Sequence, residues 1–411
     1  MTTPLDKTKT KIVLLESIHE GAAEAFRAGG YTNVEQHAGA LSDDRLRQVL
    51  ADAHLVGIRS RTRLTRALLE AAPSLVAVGC FCIGTDQVDL EAAQDLGVPV
   101  FNAPFSNTRS VAELVLAETV LLLRGIPERN ALAHRGVWRK SAEGAHEARG
   151  KVLGIVGYGH IGTQVGLLAE SLGMQVVFHD IRTKLALGNA RPTRSLDELL
   201  ESADVVTLHV PDTPETRAMI GAGAIARMRR GAALINASRG TVVDVEALAA
   251  ALESGHLSGA AIDVFPAEPQ SSREAFESPL RRFDQVLLTP HVGGSTEEAQ
   301  QNIAIEVAEK LIRYSDNGST LSSVNFPEVA LPEHAGKHRV LHIHRNQAGM
   351  LARINDVFSR RGINVSAQYL QTSPRIGYVV IDVELDDRID MDLILRELSA
   401  INGTIRTRVL H

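Results

Sequence analysis

The hexapeptide Gly157-Tyr158-Gly159-His160-Ile161-Gly162 directly follows an apolar run, 152–156, and opens a segment of helical spacing that reaches about Ser171. Glycine at the first position permits a tight turn, at the third it lets a pyrophosphate approach the backbone, and at the sixth it lets helix and strand pack closely. Phosphate charge then meets a helix N-terminus. Asp180 stands at the end of the next apolar run. A carboxylate there accepts bonds from both ribose hydroxyls and repels a 2′-phosphate, so the pattern predicts NAD rather than NADP. An ordinary turn residue is the alternative for Asp180, and Arg182 beside it is the one pointer toward NADP.

Three further side chains follow apolar runs of the same region. Arg239 lies in Asn236-Ala-Ser-Arg-Gly240 after 233–236, Glu268 in Asp263-Val-Phe-Pro-Ala-Glu-Pro269 after 259–264, and His291 in Pro290-His-Val-Gly-Gly294 after 286–289. In a parallel α/β sheet such strand ends gather on one side, where ligands bind. An imidazole suits the base that takes a hydroxyl proton as hydride leaves, and a carboxylate beside it orients the ring and raises its pKa. A guanidinium offers a planar fork for a substrate carboxylate and polarises the reacting oxygen. Each residue alone also reads as a surface turn or one of 15 histidines. Together they point to oxidation of a small 2-hydroxy acid, or reduction of the 2-oxo acid.

The elements that must position these groups recur along the chain. Runs at 11–15, 54–58 and 75–79 read as strands and segments at 18–28, 42–51 and 65–71 as helices. A second alternating series begins at 151 and continues through 175–179, 204–209, 233–236, 259–264 and 286–289, with a long helix over 296–314. Alternation of this kind builds parallel sheets. Ser110–Leu123 has helical spacing and is expected to cross from one domain to the other. After the breaker-rich stretch from Asp316 to Pro332, a small domain begins near Lys337 with strands at 338–344, 363–370, 377–384 and 403–409 and helices at 350–360 and 390–400. That order is the split βαβ of a ferredoxin-like fold.

Composition bounds the remaining possibilities. The chain has 411 residues, 44% apolar and 22% charged, with a net charge of −6. Such a chain buries two or three cores, and its charge offers no pull toward nucleic acid or anionic membrane. The two cysteines, Cys80 and Cys82, form neither a disulfide framework nor a repeated metal spacing, so no metal is expected. No apolar signal-peptide core opens the chain, and a cytoplasmic enzyme is the expectation.

Two other clusters bear on ligands. Arg59 and Arg61 follow an apolar strand in Ile58-Arg-Ser-Arg-Thr-Arg63, where alternate residues project together and could clamp a phosphate, or form a solvated basic turn. In His342-Ile-His344-Arg-Asn346, period-two alternation places both histidines and Asn346 on one face, with Leu341 and Ile343 on the core face.

The chain resembles the D-isomer-specific 2-hydroxyacid dehydrogenases, and among them those with a C-terminal ACT domain. The resemblance rests on the motifs at 102–113, 134–138, 157–163, 236–240 and 290–294 and covers nearly all of the chain. It implies that Arg239, Glu268 and His291 form the catalytic set. Implied NAD contacts are Gly157, Gly159, His160, Ile161, Gly162, Asp180, Ala237, Ser238, Arg239, Asp263, His291, Val292, Gly293 and Gly294. The implied fold is α/β, with a discontinuous flavodoxin-like substrate domain (1–105 and 295–330), a Rossmann NAD domain (106–294) and a ferredoxin-like ACT domain (337–411). It further implies Lys140 near a substrate phosphate, beside Arg59, Arg61 and Arg239, and Ala38 stands where relatives carry a lysine. Implied effector contacts are His344, Asn346 and Asn364, for L-serine, and the implied assembly is a homotetramer. The expected reaction is NAD-dependent oxidation of 3-phospho-D-glycerate, with 2-oxoglutarate as a possible second substrate. A dehydrogenase for an unphosphorylated D-2-hydroxy acid and a non-catalytic NAD-sensing regulator are the rivals.

Overall fold

The structure, a computed structural model, describes residues 6–269, 274–332, 338–384 and 390–410. The chain divides into two compact units, Met1–Ser106 with Gln300–His411, and Asn107–Ala299.

In the first unit, β1 (Ile12–Leu14), β2 (Val34–Gln36), β3 (Leu55–Ile58), β4 (Ala77–Cys80) and β5 (Val100–Asn102) form a parallel sheet in the order β2-β1-β3-β4-β5. This is the flavodoxin-like order. Both faces are buried: Ile12, Leu14 and Leu55 pack with Val307 and Leu311 of the helix Glu297–Asn317, while Val13, Val56 and Val78 pack with Leu46 and Leu68 on the other side. The runs read as strands become β1, β3 and β4. β2 (Val-Glu-Gln) is mostly polar and half-buried, and β5 follows Pro99, so hydropathy marks neither as a run.

In the second unit, β6 (Val152–Val156), β7 (Gln175–His179), β8 (Arg191–Pro192), β9 (Val205–Leu208), β10 (Ala233–Asn236), β11 (Gly259–Ile262) and β12 (Val286–Leu288) lie parallel in the order β12-β11-β10-β9-β6-β7-β8. The strand order reverses between β6 and β9, which is the dinucleotide-binding arrangement. The helix Thr108–Leu123 does not cross between domains. It lies wholly in this unit because its face of Val111, Ala112, Val115 and Leu122 packs against Ile155, Ile235 and Ala261.

The C-terminal part forms an antiparallel sheet, β13 (His338–Arg345), β14 (Asn364–Thr372), β15 (Ile376–Glu384) and β16 (Thr404–Leu410), in the order β14-β15-β13-β16, with helices Met350–Ser359 and Met391–Ala400. The expected start at Lys337 lies outside the described residues. This sheet is covered on both faces, and that corrects one expectation. Leu341, Ile343, Tyr378 and Val380 share a core with Phe101, Tyr314 and Phe326, while Val340, Val379 and Ile381 pack with Ile354, Phe358 and Leu395 of the helices. His342 and His344 therefore lie in the interior, 0% and 3% exposed, although they are on the face opposite Leu341 and Ile343. Burial lowers both imidazoles, His342 to about 4. Buried Arg339 secures the sheet through a two-pronged pair with Asp382 at 2.6 and 2.7 Å.

Candidate active site

The glycine loop follows β6 and leads into the helix His160–Ser171. Gly157 has φ +91°, and a Cβ there would sit 2.4 Å from the His209 carbonyl oxygen. A Cβ on Gly162 would sit 2.2 Å from the Gly157 carbonyl oxygen, whereas one on Gly159 would meet nothing within 4 Å. The protein's own packing thus demands the first and third glycines, while the second leaves the backbone open to a ligand, and His160 and Ile161 supply the first helical turn. Asp180, next after β7, accepts the Tyr158 amide on Oδ2 and the Arg182 amide on Oδ1, both at 2.9 Å. It thereby binds the glycine loop to the end of the next strand. The residues fit a dinucleotide with free ribose hydroxyls.

Three loops at the carboxyl ends of β10, β11 and β12 carry the expected reactive groups. Asn236 ends β10, and its Oδ1 accepts the Ser238 amide at 3.1 Å and the Ser238 hydroxyl at 2.8 Å, while its Nδ2 donates to the Arg239 carbonyl at 3.0 Å. Arg239 Nη1 donates to the Ser238 carbonyl at 2.7 Å. The loop after Ala237 and Ser238 then presses on the next one, since a Cβ on Gly240 would lie 2.0 Å from the Phe265 carbonyl carbon. Phe265 in turn donates its amide to Glu268 Oε1 at 3.2 Å.

Glu268 Oε2 lies 2.9 Å from His291 Nδ1. That bond, with the negative charges of Glu268 and Asp263, raises the imidazole above its ordinary pKa against the opposing effects of burial and Arg239. Burial raises the Glu268 carboxyl, but His291, the Phe265 amide and Arg239 outweigh it and hold the group below its usual range. Arg239 is therefore near enough to act on both members of the pair. His291 has φ +55°, a left-handed conformation that costs a side-chain-bearing residue energy and needs external support. Asp263 supplies it: its backbone carbonyl accepts the His291 amide at 2.8 Å, and its carboxylate accepts Thr289 Oγ1 at 2.6 Å and the amides of Val292 and Gly293 at 2.8 Å. A buried carboxylate thus fixes the 289–293 loop, and Gly294 follows with its Cα closed in by the Asn107 side chain. The arrangement combines an oriented acid–base group on a half-exposed ring with a nearby guanidinium.

The other site residues are placed less as the sequence led one to expect. β3 ends at Ile58, so Arg59 and Arg61 stand on a loop and strand alternation does not govern them. The reason is the buried Glu16, whose carboxylate accepts the amides of Arg59, Arg61 and Thr62 at 3.2, 2.9 and 2.8 Å in place of a sheet partner. Lys140 is exposed in the second unit, two residues from Trp138, which is 88% exposed. Asn346 is exposed, its Nδ2 donating to the Ser373 carbonyl at 2.8 Å. His344 pairs in register with Gly377 and Asn364 with Glu384, so these residues sit at opposite ends of the sheet and one chain does not unite them. Sequence reading missed Glu16 and Asn236, both polar residues at the ends of apolar strands; that position was the available signal.

Residues 116–293 match the D-isomer specific 2-hydroxyacid dehydrogenase NAD binding domain, and residues 340–406 match the AHAS small subunit-like ACT domain. Over 407 residues the chain is 60% identical to a D-3-phosphoglycerate dehydrogenase of Haemophilus influenzae, covering 99% of this chain and 98% of that protein. It is 61% identical over 407 residues to the D-3-phosphoglycerate dehydrogenase of Escherichia coli K12, covering 99% of each. The structure of D-lactate dehydrogenase from Aquifex aeolicus, complexed with NAD and lactic acid, superimposes with a TM-score of 0.67 at 27% identity, over 77% of this chain and 100% of that one. The fold, the glycine loop and the strand-end constellation are those of an NAD-dependent 2-hydroxyacid dehydrogenase with a C-terminal ACT domain. Within that class the chain belongs to the D-3-phosphoglycerate dehydrogenase family. Among the described residues no helix is long and apolar enough to cross a membrane.

Proposed function

We propose that the chain oxidises 3-phospho-D-glycerate to 3-phosphooxypyruvate, the first step of L-serine biosynthesis, in the cytoplasm and as a homotetramer. The observation that carries the chemistry is the Glu268–His291 pair within electrostatic reach of Arg239. NAD, when bound, accepts the hydride from C2. For its binding we assign Gly157, Gly159, His160, Ile161 and Gly162 to the pyrophosphate and Asp180 to the ribose. Ala237 to Arg239, Asp263 and the loop from His291 to Gly294 take the nicotinamide end.

The remaining work falls to side chains. His291 Nδ1 is engaged by Glu268, so its Nε2 takes the C2 hydroxyl proton, and Glu268 stabilises the imidazolium that forms. Arg239 holds the substrate carboxylate and polarises the C2 oxygen. The guanidinium groups of Arg59 and Arg61 make no hydrogen bond or ion pair among the described residues, which leaves them available to a phosphate, with Lys140 as a further cation. Reduction of 2-oxoglutarate is a side reaction of the same groups, and L-serine acts through the ACT sheet at His344, Asn346 and Asn364. That the last of these lies far from the other two along the sheet fits a site completed by a second chain.

The substrate assignment is tested by comparing kcat/KM for 3-phosphooxypyruvate and 2-oxoglutarate in Arg61→Ala. The phosphorylated substrate should lose about tenfold or more, as expected for one charge-assisted contact, and clearly more than 2-oxoglutarate. Equal losses would mean that Arg61 serves a shared group or the fold.

A further inference from the structure

Glu16 lies two residues beyond the end of β1 and is 8% exposed. With Ser17 it forms two consecutive left-handed residues, φ +63° and +51°, a conformation that side-chain-bearing residues adopt only where the surroundings enforce it. What enforces it is a set of bonds to two other loops at the same end of the sheet. The Glu16 amide donates to the Gly39 carbonyl at 3.3 Å and the Ser17 amide to the His37 carbonyl at 3.1 Å, and Ser17 Oγ donates to the Ala38 carbonyl at 2.8 Å. On its other side the Glu16 carboxylate takes the three amides of Arg59, Arg61 and Thr62.

The short turn thus binds the loop after β2 to the loop after β3, at the carboxyl ends of β1, β2 and β3, the side of such a sheet on which ligands bind. Two consequences follow. The backbone course of Arg59 and Arg61 is set by a buried acceptor rather than by a strand ladder. The same carboxylate withdraws three amides of this loop from any ligand, which leaves the guanidinium groups as its charged donors for an anion.

We propose that Glu16 is a positioning residue for substrate phosphate: it presets the Arg59–Arg61 loop and thereby sets specificity without touching the substrate. The inference rests on the phosphate role proposed above for the two arginines. Glu16→Gln keeps the size of the side chain but places an NH2 group where the loop amides need acceptors, leaving at most one oxygen for three donors.

The test is a double-mutant cycle on the full-length protein. Glu16→Gln alone should raise KM for 3-phosphooxypyruvate by about tenfold or more, with kcat and NADH affinity changed by less than about threefold. In the Arg59→Ala/Arg61→Ala background the same substitution should change KM by less than about twofold, because the groups it positions are gone. An unchanged KM in the native background, or an equal increase in both backgrounds, overturns the proposal. A kcat or NADH affinity that falls in step with KM assigns Glu16 to general folding and overturns it as well. Failure of the phosphate reading is separately visible: the double arginine variant, with Glu16 intact, would then bind 3-phosphooxypyruvate as the parent does. If Glu16→Gln does not fold, Glu16→Asp, which retains both acceptor oxygens on a shorter arm, takes its place in the cycle with the same outcomes.

Discussion

His291 Nδ1 and Glu268 Oε2 stand 2.9 Å apart, and they come from loops after different strands, β12 and β11. The contact engages Nδ1, so Nε2 is the ring nitrogen left for the proton transfer proposed above. It also sets the sign of the pH response, because the imidazole is raised by Glu268 while Glu268 is lowered by the imidazole. Hydroxy-acid oxidation needs the neutral ring and should rise with pH through the His291 pKa; oxo-acid reduction needs the imidazolium and should fall over the same interval.

Glu268→Gln removes the main cause of the raised imidazole. The apparent pKa of the remaining activity should move downward, so that the oxidation limb shifts to lower pH. A pH–rate profile superimposable on the parent's would contradict the coupling.

Removal of the base itself should cost more. His291→Asn keeps a residue tolerant of the left-handed φ at this position and should lower kcat by ~10²–10⁴-fold, the usual worth of a positioned acid–base group, with NADH affinity little changed. Stopped-flow titration of NADH fluorescence separates the two effects.

Asp180→Ala should weaken NAD binding and relax discrimination against NADP if, as proposed, the carboxylate bonds to the ribose and repels an added phosphate. It should also loosen the glycine loop, since the Tyr158 amide loses its acceptor. Unchanged kcat/KM with both cofactors would remove Asp180 from the site.

Much of this was legible in the chain. The β-branched and leucine-rich strands buried on both faces announce themselves as runs, and β6, β7 and β10 have the bounds the sequence indicates. β8 is two residues containing a proline, and no local pattern marks it. The burial of the β13 histidines was not legible because alternation tells which residues share a face and not whether a second layer covers it. The course of the Arg59–Arg61 loop depends on Glu16, 43 residues from Arg59 in sequence, and such a contact has no local signature.

Serine control should depend on groups other than Arg239, Glu268 and His291. A ligand shifts an equilibrium between enzyme states only through its differential affinity for them. Asn346→Ala or Asn364→Ala should therefore abolish inhibition by serine while leaving uninhibited kcat nearly unchanged. Absence of both a calorimetric signal and any change in rate at millimolar serine in the intact protein would contradict an effector role for the ACT sheet.

The most direct measurement is the rate of NADH oxidation, followed at its absorbance maximum, with purified protein and a panel of 2-oxo acids at equal concentration. The account predicts the highest kcat/KM for 3-phosphooxypyruvate, weaker turnover of 2-oxoglutarate, and loss of both in His291→Asn. A higher kcat/KM for an unphosphorylated acid, or no turnover of any member of the panel, would contradict it.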